Sequence, residues 1–282
     1  MSTELVTTAS LLRKKRDHEK ITMLTGYDFT TARLLDEAGI DIILVGDSLG
    51  QVVLGYDSTL PVTMEDMIHH TKAVVRGVER AMVVSDMPFL SFQISPEEAL
   101  ANAGTLIKEV RSTPVKLVNG KPSSGSVTVA VKLEGGEQVA ETIRKIVDAG
   151  IPVMGHLGMQ PMSASVYGGP RVHGKSEAEA ERILRDAKII EEAGVFAIVL
   201  ELVPTELARQ VTNSVSVPTI GIGAGPYCDG QVLVSSDMLG LYRALFKHVK
   251  QYADIGNIML DAFRAYIEDV KSGKFPTTEH SF

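Results

Sequence analysis

The chain has 282 residues, of which 44% are hydrophobic and 22% charged, and its formal net charge is -7. This composition is typical of a globular protein with a large core, and an acidic balance without a long basic run argues against nucleic acid as a partner. The single cysteine excludes a disulfide framework and a zinc site built on paired cysteines, and it is compatible with a cytoplasmic location.

The N-terminal segment lacks the features of a secretory signal. Its basic run at 13–16 follows Leu11 and Leu12 instead of preceding an apolar core. No apolar run approaches the roughly 18 consecutive residues that a membrane-spanning helix needs. We therefore expect a cytoplasmic protein that has no membrane partner.

Short runs rich in Val, Ile and Leu alternate along the chain with longer segments of helical period, the arrangement of parallel strands joined by helices. Eight runs are counted, at 21–25, 42–46, 81–85, 127–133, 152–156, 197–201, 219–222 and 232–235. An open sheet would also alternate in this way, but no Gly-x-Gly-x-x-Gly opens the first helix, and carboxylates recur at several strand ends. The pattern predicts an α/β fold, a (β/α)8 TIM barrel that forms a single domain over 1–282.

Helix boundaries support this interpretation. Ser95 followed by Pro96 and two glutamates predicts a helix start. Gly39, Gly150 and Gly194 each follow an acidic residue and an alanine, which is typical of a helix that ends before a strand. The stretch 246–271 has a helical period and predicts a barrel helix with a C-terminal helical extension.

The segment 113–126 interrupts the alternation. It places Pro114, an Asn-Gly pair and a Ser-Ser-Gly turn between two short runs of strand-forming residues, which predicts an inserted hairpin. The run 115–118 nearly repeats 131–134, but only the second copy ends in a carboxylate.

Four acidic residues end apolar runs, where a barrel carries its functional side chains. They are Asp47, Asp86, Glu134 and Glu201. Each alone could equally be a helix cap or a solvated loop residue. Carboxylates that converge on one mouth repel one another unless a cation neutralises them, and oxygen ligands favour Mg2+ over zinc. The set predicts a magnesium site.

Three further residues are candidates for substrate contact: Ser48, Lys132 and His156. Residues two apart on a strand share a face, so Lys132 should point to the same side as Glu134, toward the barrel interior or its mouth. Lys132 could bind the carboxylate of a substrate or form a Schiff base with the substrate, although neighbouring acidic side chains would keep its amine protonated. His156 could equally contact substrate or make a structural hydrogen bond.

Several ordered segments resemble the ketopantoate hydroxymethyltransferase family, from about residue 21 to the Phe-Pro tail at 275–276. They are Val-Gly-Asp-Ser-Leu-Gly at 45–50, Gly-Tyr-Asp-Ser-Thr-Leu-Pro-Val-Thr at 55–63, Ser-Asp-Met-Pro-Phe at 85–89, Val-Lys-Leu-Glu-Gly-Gly at 131–136, Gly-His-Leu-Gly at 155–158, Gly-Ile-Gly-Ala-Gly-Pro at 221–226 and Cys-Asp-Gly-Gln-Val at 228–232. The chain departs from the family at 113–126, in the loop 167–174 and at Leu202, where the family usually has a smaller residue.

The resemblance implies a Mg2+-dependent (β/α)8 barrel that transfers a hydroxymethyl group from methylene-tetrahydrofolate to 3-methyl-2-oxobutanoate, giving 2-dehydropantoate for pantothenate biosynthesis. It assigns Asp47, Asp86 and Glu134 to the metal and Glu201 to proton abstraction. Ser48 and Lys132 match contacts of the oxo acid, and His156 lies in the matching active-site strand. The family also implies a homo-oligomer, a homodecamer, for which the C-terminal helical extension is a plausible contact.

Two rival functions share parts of this pattern. A lyase or mutase of the phosphoenolpyruvate mutase and isocitrate lyase type also binds Mg2+ and 2-oxo acids in a barrel, but its catalytic cysteine loop or phosphonate-handling loop is not identified in the sequence. A non-catalytic barrel would be expected to lose the metal acids or the base, and all four acids are present.

Overall fold

The computed structural model describes residues 4–111, 117–118, 121–122, 127–169, 171–242 and 246–282. Eight parallel strands close into a barrel in the order β1, β10, β9, β8, β7, β6, β3, β2, which confirms the predicted (β/α)8 fold. The strands are β1 (Ile21–Thr25), β2 (Ile42–Val45), β3 (Met82–Asp86), β4 (Leu117–Val118), β5 (Lys121–Pro122), β6 (Val129–Glu134), β7 (Val153–Gly158), β8 (Ala197–Glu201), β9 (Thr219–Ile222) and β10 (Gly230–Leu233).

Helices connect most of the barrel strands. They are α1 (Thr8–Arg16), α2 (Phe29–Glu37), α3 (Leu49–Val52), α4 (Met64–Gly77), α5 (Pro96–Arg111), α6 (Ala140–Asp148), α7 (Glu177–Glu192), α8 (Thr205–Ser214), α9 (Ser235–Met238) and α10 (Ile255–Ser272). Ser95 caps α5 as predicted, because its Oγ accepts the Glu98 N–H at 3.1 Å. Gly39, Gly150 and Gly194 all have positive φ, the conformation predicted for the ends of α2, α6 and α7.

Side chains alternate between two hydrophobic layers. One set fills the barrel interior and includes Met23, Met82, Ala130 and Val199. The residues between them, such as Val83 and Val131, pack outward against the helices. This alternation, with both faces buried, explains why the strands read as continuous apolar runs.

Helix α1 closes the end of the barrel where the strands begin. Its Leu11 is fully buried and belongs to the interior cluster. Two partly buried ion pairs attach the helix: Lys14 Nζ lies 2.9 Å from Asp41 Oδ1, and Lys15 Nζ lies 2.8 Å from Asp229 Oδ2. The functional side chains described below lie at the opposite end of the strands.

Replacing Leu11 with alanine is expected to destabilise the fold by about 2–5 kcal/mol, because it leaves a cavity at the closed end of the barrel. Leu12→Ala is the matched control on the same helix. Leu12 is 36% exposed, so its loss should cost well under about 1 kcal/mol. Urea denaturation of both variants measures the difference, and equal losses would show that α1 does not close the barrel.

The structure corrects some element boundaries. Strand β10 is Gly230–Leu233 instead of 232–235, and α10 begins at Ile255, so 246–254 is not helical although the period over 246–271 predicted it. Strands β4 and β5 pair antiparallel through Leu117 with Pro122 and Val118 with Lys121. The rest of the predicted hairpin at 113–126 lies outside the described residues. No helix among the residues described here is long and apolar enough to span a membrane.

The chain divides into two compact units, 1–233 and 234–282. The first contains the whole barrel. In the second, the Tyr252 N–H donates to the Met238 carbonyl at 2.8 Å and the Ile255 N–H donates to the Leu239 carbonyl at 2.9 Å, which connects the segment before α10 to α9. Helix α10 has no buried residue.

Candidate active site

The last interior positions of four neighbouring strands carry polar side chains. The same alternation that places Met82 and Val84 in the barrel interior places Asp86 there, and Ala130 is followed in the same way by Lys132 and Glu134. His156 follows Met154, and Glu201 follows Val199. The barrel interior is therefore apolar near the strand starts and charged at the carboxyl ends, which meet at one mouth.

Lys132 lies among the carboxylates that were predicted to surround a metal. Its Nζ is 3.0 Å from Asp86 Oδ1, and both side chains are buried. Burial opposes the charged form of Lys132, but the carboxylates of Asp86, Glu134 and Asp47 outweigh it and raise the Lys132 pKa. A protonated ammonium is not a nucleophile, so this setting favours electrostatic contact over a Schiff base.

Asp47 follows β2 and is 4% exposed. Its backbone N–H donates to Asp86 Oδ2 at 2.9 Å, which fixes the two acids next to each other. Burial, together with the negative charges of Asp86 and Glu134, raises the pKa of Asp47 well above its usual range, and Lys132 only partly offsets them. The charged form of Asp47 is therefore disfavoured among the side chains that surround it.

His156 joins two of the acids. Its Nδ1 lies 3.5 Å from Glu134 Oε1 and 3.4 Å from Lys132 Nζ, and its Nε2 lies 3.3 Å from Glu201 Oε2. Burial and the charge of Lys132 act to lower the His156 pKa, but the hydrogen bonds to Glu134 and Glu201 outweigh them and raise it to about 9. The ring is therefore cationic at neutral pH and aligned with the Glu201 carboxylate.

Glu201 is the most accessible acid of the group, with 22% of its side chain exposed, whereas the side chains of Asp86 and Glu134 are 3% and 4% exposed. It occupies the end of β8, opposite the end of β7 in the register that pairs Gly158 with Glu201. A carboxylate that is fixed by His156 and still open to the mouth is suited to proton transfer with a bound molecule.

Ser48 and Tyr27 form a second polar group at the mouth. The Tyr27 hydroxyl and Ser48 Oγ are 2.9 Å apart, and burial raises the pKa of Tyr27. Tyr27 lies two residues beyond the end of β1, but it is not acidic and was not among the predicted site residues. The position of Tyr27 after an apolar run was the signal in the sequence that could have found it.

The loop after β7 covers Glu134. The Met162 N–H donates to Glu134 Oε2 at 3.2 Å, and Gln93 Nε2 lies 3.7 Å from Met162 Sδ. Two connections that follow different strands therefore meet beside this carboxylate. No local pattern in the sequence indicates this contact, because residues 134 and 162 become neighbours only when β6 and β7 pair.

The acids at the mouth offer a partial site for a divalent cation. Asp47 Oδ2 is buried and has no hydrogen-bond partner in the described parts of the chain. Among those same residues, no three His, Cys, Asp or Glu side chains are arranged to hold a metal ion by themselves. Mg2+ commonly takes only one or two carboxylates from a protein and completes its shell with substrate oxygens and water, so a partial site suits this ion. Asp47 and Asp86, with Glu134 nearby, fit such a site.

Comparison with known proteins places the chain in a family. Residues 5–129 and 123–278 match the family model of ketopantoate hydroxymethyltransferase. A protein of Thermoanaerobacter sp. (strain X514), named 3-methyl-2-oxobutanoate hydroxymethyltransferase, is 56% identical over 280 residues, covering 99% of this chain and 96% of that protein. A protein of the same name from Caldicellulosiruptor saccharolyticus is 55% identical, covering 98% of this chain and 99% of that protein.

Solved structures share the fold at much lower identity. A phosphonopyruvate hydrolase in complex with oxalate and Mg++ superposes with a TM-score of 0.58 and 12% identity, covering 99% of this chain and 93% of that one. A 2,3-dimethylmalate lyase of the PEP mutase/isocitrate lyase superfamily has a TM-score of 0.55 and 16% identity, covering 98% and 91%. These similarities concern the barrel architecture.

Proposed function

Because the chain belongs to the ketopantoate hydroxymethyltransferase family, we propose that it transfers a hydroxymethyl group from methylene-tetrahydrofolate to 3-methyl-2-oxobutanoate. The product would be 2-dehydropantoate, an intermediate of pantothenate biosynthesis. The observation that carries the proposal is the open Glu201 carboxylate, which lies 3.3 Å from His156 Nε2 at the same mouth as the buried ion pair of Lys132 and Asp86.

The reaction requires removal of the proton from C3, the carbon next to the ketone, near neutral pH. Glu201 is the proposed general base, and His156 Nε2 holds its carboxylate in place. When the proton leaves, negative charge moves to the ketone oxygen. C3 then forms a bond with the methylene carbon, the bonds from that carbon to the two folate nitrogens break, water supplies the hydroxyl oxygen, and tetrahydrofolate leaves with the proton on its nitrogen. A base that is 22% exposed can reach a substrate bound at the mouth.

Asp47, Asp86 and Glu134 are proposed to hold Mg2+. Bound there, the ion would supply a Lewis acid that polarises the ketone carbonyl and stabilises negative charge on its oxygen. The buried Asp47 Oδ2, which lacks a hydrogen-bond partner among the residues that the structure describes, supports this assignment.

Lys132 and Ser48 are proposed to orient the substrate carboxylate. The raised Lys132 pKa keeps the ammonium charged, and its position beside Asp86 keeps it at the mouth. Ser48 Oγ can donate a hydrogen bond to a carboxylate oxygen while it accepts one from the Tyr27 hydroxyl. The additional contact predicted between His156 and the substrate remains part of this proposal.

The test combines purified protein, Mg2+, 3-methyl-2-oxobutanoate and methylene-tetrahydrofolate, and detects 2-dehydropantoate by mass spectrometry. The matched control substrate is 3,3-dimethyl-2-oxobutanoate, which keeps the ketone and the carboxylate but has no C3 proton. We expect product only from the first substrate and only without a chelator. Absence of product under magnesium-loaded conditions would refute the proposal and favour the lyase alternative.

A homo-oligomer is also proposed. Helix α10 exposes large apolar side chains, and such patches commonly mark contacts between protein copies. They are Ile258, Met259, Phe263, Tyr266, Ile267 and Val270. The family resemblance identifies a second copy of the chain as the expected occupant, with a decamer as the expected size. Light scattering that gave the 30.4 kDa mass of one chain would contradict this.

The cytoplasmic location also remains a proposal.

A further inference from the structure

Glu201 is followed by a residue in a conformation that its type rarely adopts. Leu202 has a φ of +47°, within the left-handed region that favours glycine. A leucine keeps this conformation only when its surroundings impose it. The backbone around the proposed base is therefore held by other parts of the barrel.

Three backbone hydrogen bonds impose the conformation. The Met159 N–H donates to the Glu201 carbonyl at 2.8 Å, and the Leu202 N–H donates to the Ile222 carbonyl at 2.9 Å. The His173 N–H donates to the Leu202 carbonyl at 2.9 Å. Met159 and His173 both lie in the connection from β7 to α7, and Ile222 ends β9, so this connection and strand β9 together fix the end of β8.

Gly158 makes the first of these bonds possible. It has a φ of +93°, and a Cβ at this position would lie 2.2 Å from the Glu201 carbonyl oxygen and 2.7 Å from Val203 Cγ1. Real Cβ atoms do not approach a backbone oxygen so closely. Any side chain at 158 would therefore displace the main chain of Glu201 or of Gly158 itself.

The Glu201 carboxylate depends on this main chain for its direction. Its carboxylate pairs with His156, which lies on the same strand as Gly158. We infer that Gly158 and Leu202 are positioning residues, whose backbone conformations aim the Glu201 carboxylate at the reacting C3 proton. This inference rests on the proposed function of Glu201 and adds two residues that act through it.

The test is the rate of C3 proton exchange into 3-methyl-2-oxobutanoate in D2O, measured for the magnesium-loaded full chain. Misplacing a catalytic group by about 1 Å costs on the order of 100-fold, so Gly158→Ala is expected to slow exchange by about 10- to 100-fold. Its KM for the oxo acid should stay within about two-fold, because the substrate contacts are unchanged. A purely structural role would instead lower thermal stability without slowing exchange at an unchanged KM.

Gly150→Ala is the matched control. Gly150 has a similar φ of +86°, but a Cβ there would meet no atom within 4 Å. This variant has the same kind of backbone strain without the clash, and its exchange rate should match that of the wild type. An exchange rate for Gly158→Ala within about two-fold of this control would overturn the inference.

A second pair of variants decides the question if Gly158→Ala does not fold. Leu202→Gly adopts the left-handed conformation freely and should retain exchange, whereas the β-branched residue in Leu202→Val strongly disfavours it and should slow exchange about tenfold or more. Equal rates for the two would overturn the inference. Failure of the wild type to exchange would instead refute the proposed function, so the two failures are distinguishable.

Discussion

Replacing Glu201 with glutamine is expected to slow exchange of the C3 proton of 3-methyl-2-oxobutanoate by about 100- to 10,000-fold, the usual contribution of a general base. Glutamine has nearly the same shape, but its amide cannot accept the proton. The fold should be unaffected, because the side chain is 22% exposed and ends at the mouth. Proton NMR in D2O measures exchange, and calorimetry in the presence of Mg2+ measures binding of the oxo acid, which should be retained.

Glu206→Gln is the matched control for this substitution. Glu206 lies on α8, a few residues after Glu201, and its exposed carboxylate pairs with Arg209 on the surface. The same loss of charge there should leave exchange unchanged. Rapid exchange in Glu201→Gln would remove Glu201 from the role of base, whatever the control shows.

Replacing Asp47 with asparagine is expected to abolish most magnesium-dependent activity and, at the same time, to stabilise the metal-free protein. Asp47 is buried, its Oδ2 has no hydrogen-bond partner in the described residues, and its pKa is raised chiefly by burial. Because the folded pKa exceeds the unfolded value, the ionised carboxylate costs stability at neutral pH. Thermal unfolding with a chelator should show a higher Tm, by roughly 2–4 °C for each kcal/mol gained.

The direction in which the stability gained by Asp47→Asn changes with pH tests this explanation. The gain from Asp47→Asn should be present at neutral pH and disappear as the pH falls toward about 3.9, where the aspartate of the unfolded chain also takes up its proton. Added Mg2+ should raise the Tm of the wild type but not of the variant.

Asp41→Asn is the control, for which the Tm is expected to change in the opposite direction. Asp41 immediately precedes β2 and is also buried, but its Oδ2 accepts hydrogen bonds from the Thr22 N–H and hydroxyl at 2.9 Å and its Oδ1 pairs with Lys14. Loss of that charge should lower the Tm, because a compensated group is removed. A lower Tm for both variants would show that Asp47 is compensated without a metal.

The strand pattern could be predicted because the barrel buries both faces of each strand. Runs such as 197–201 and 219–222 coincide with β8 and β9. The eighth strand was predicted two residues too late, at 232–235, because β10 begins with Gly230 and the exposed Gln231. Its first half therefore lacks the hydrophobic signal. The helical period also gave a wrong prediction at 246–254, because the spacing of apolar and polar residues there suits a helix but no helix forms.

The site could be predicted in part for the same reason. Acidic residues that end apolar runs lie at the carboxyl ends of the strands, where a barrel carries its functional side chains, and this located Asp86, Glu134 and Glu201. The link from His156 to two acids could not be predicted, because it depends on the register between β6, β7 and β8. The left-handed Leu202 likewise has no local signal, since distant backbone groups impose it.

The charged mouth is proposed to remove a proton from C3 of a 2-oxo acid with the help of a bound divalent cation. Proton NMR of 3-methyl-2-oxobutanoate in D2O with the purified protein tests it most directly, without requiring the folate. We predict loss of the C3 proton signal with Mg2+, and retention of that signal when a chelator is added. Retention of the signal in the magnesium-loaded protein, or the same loss with the chelator, would contradict the account.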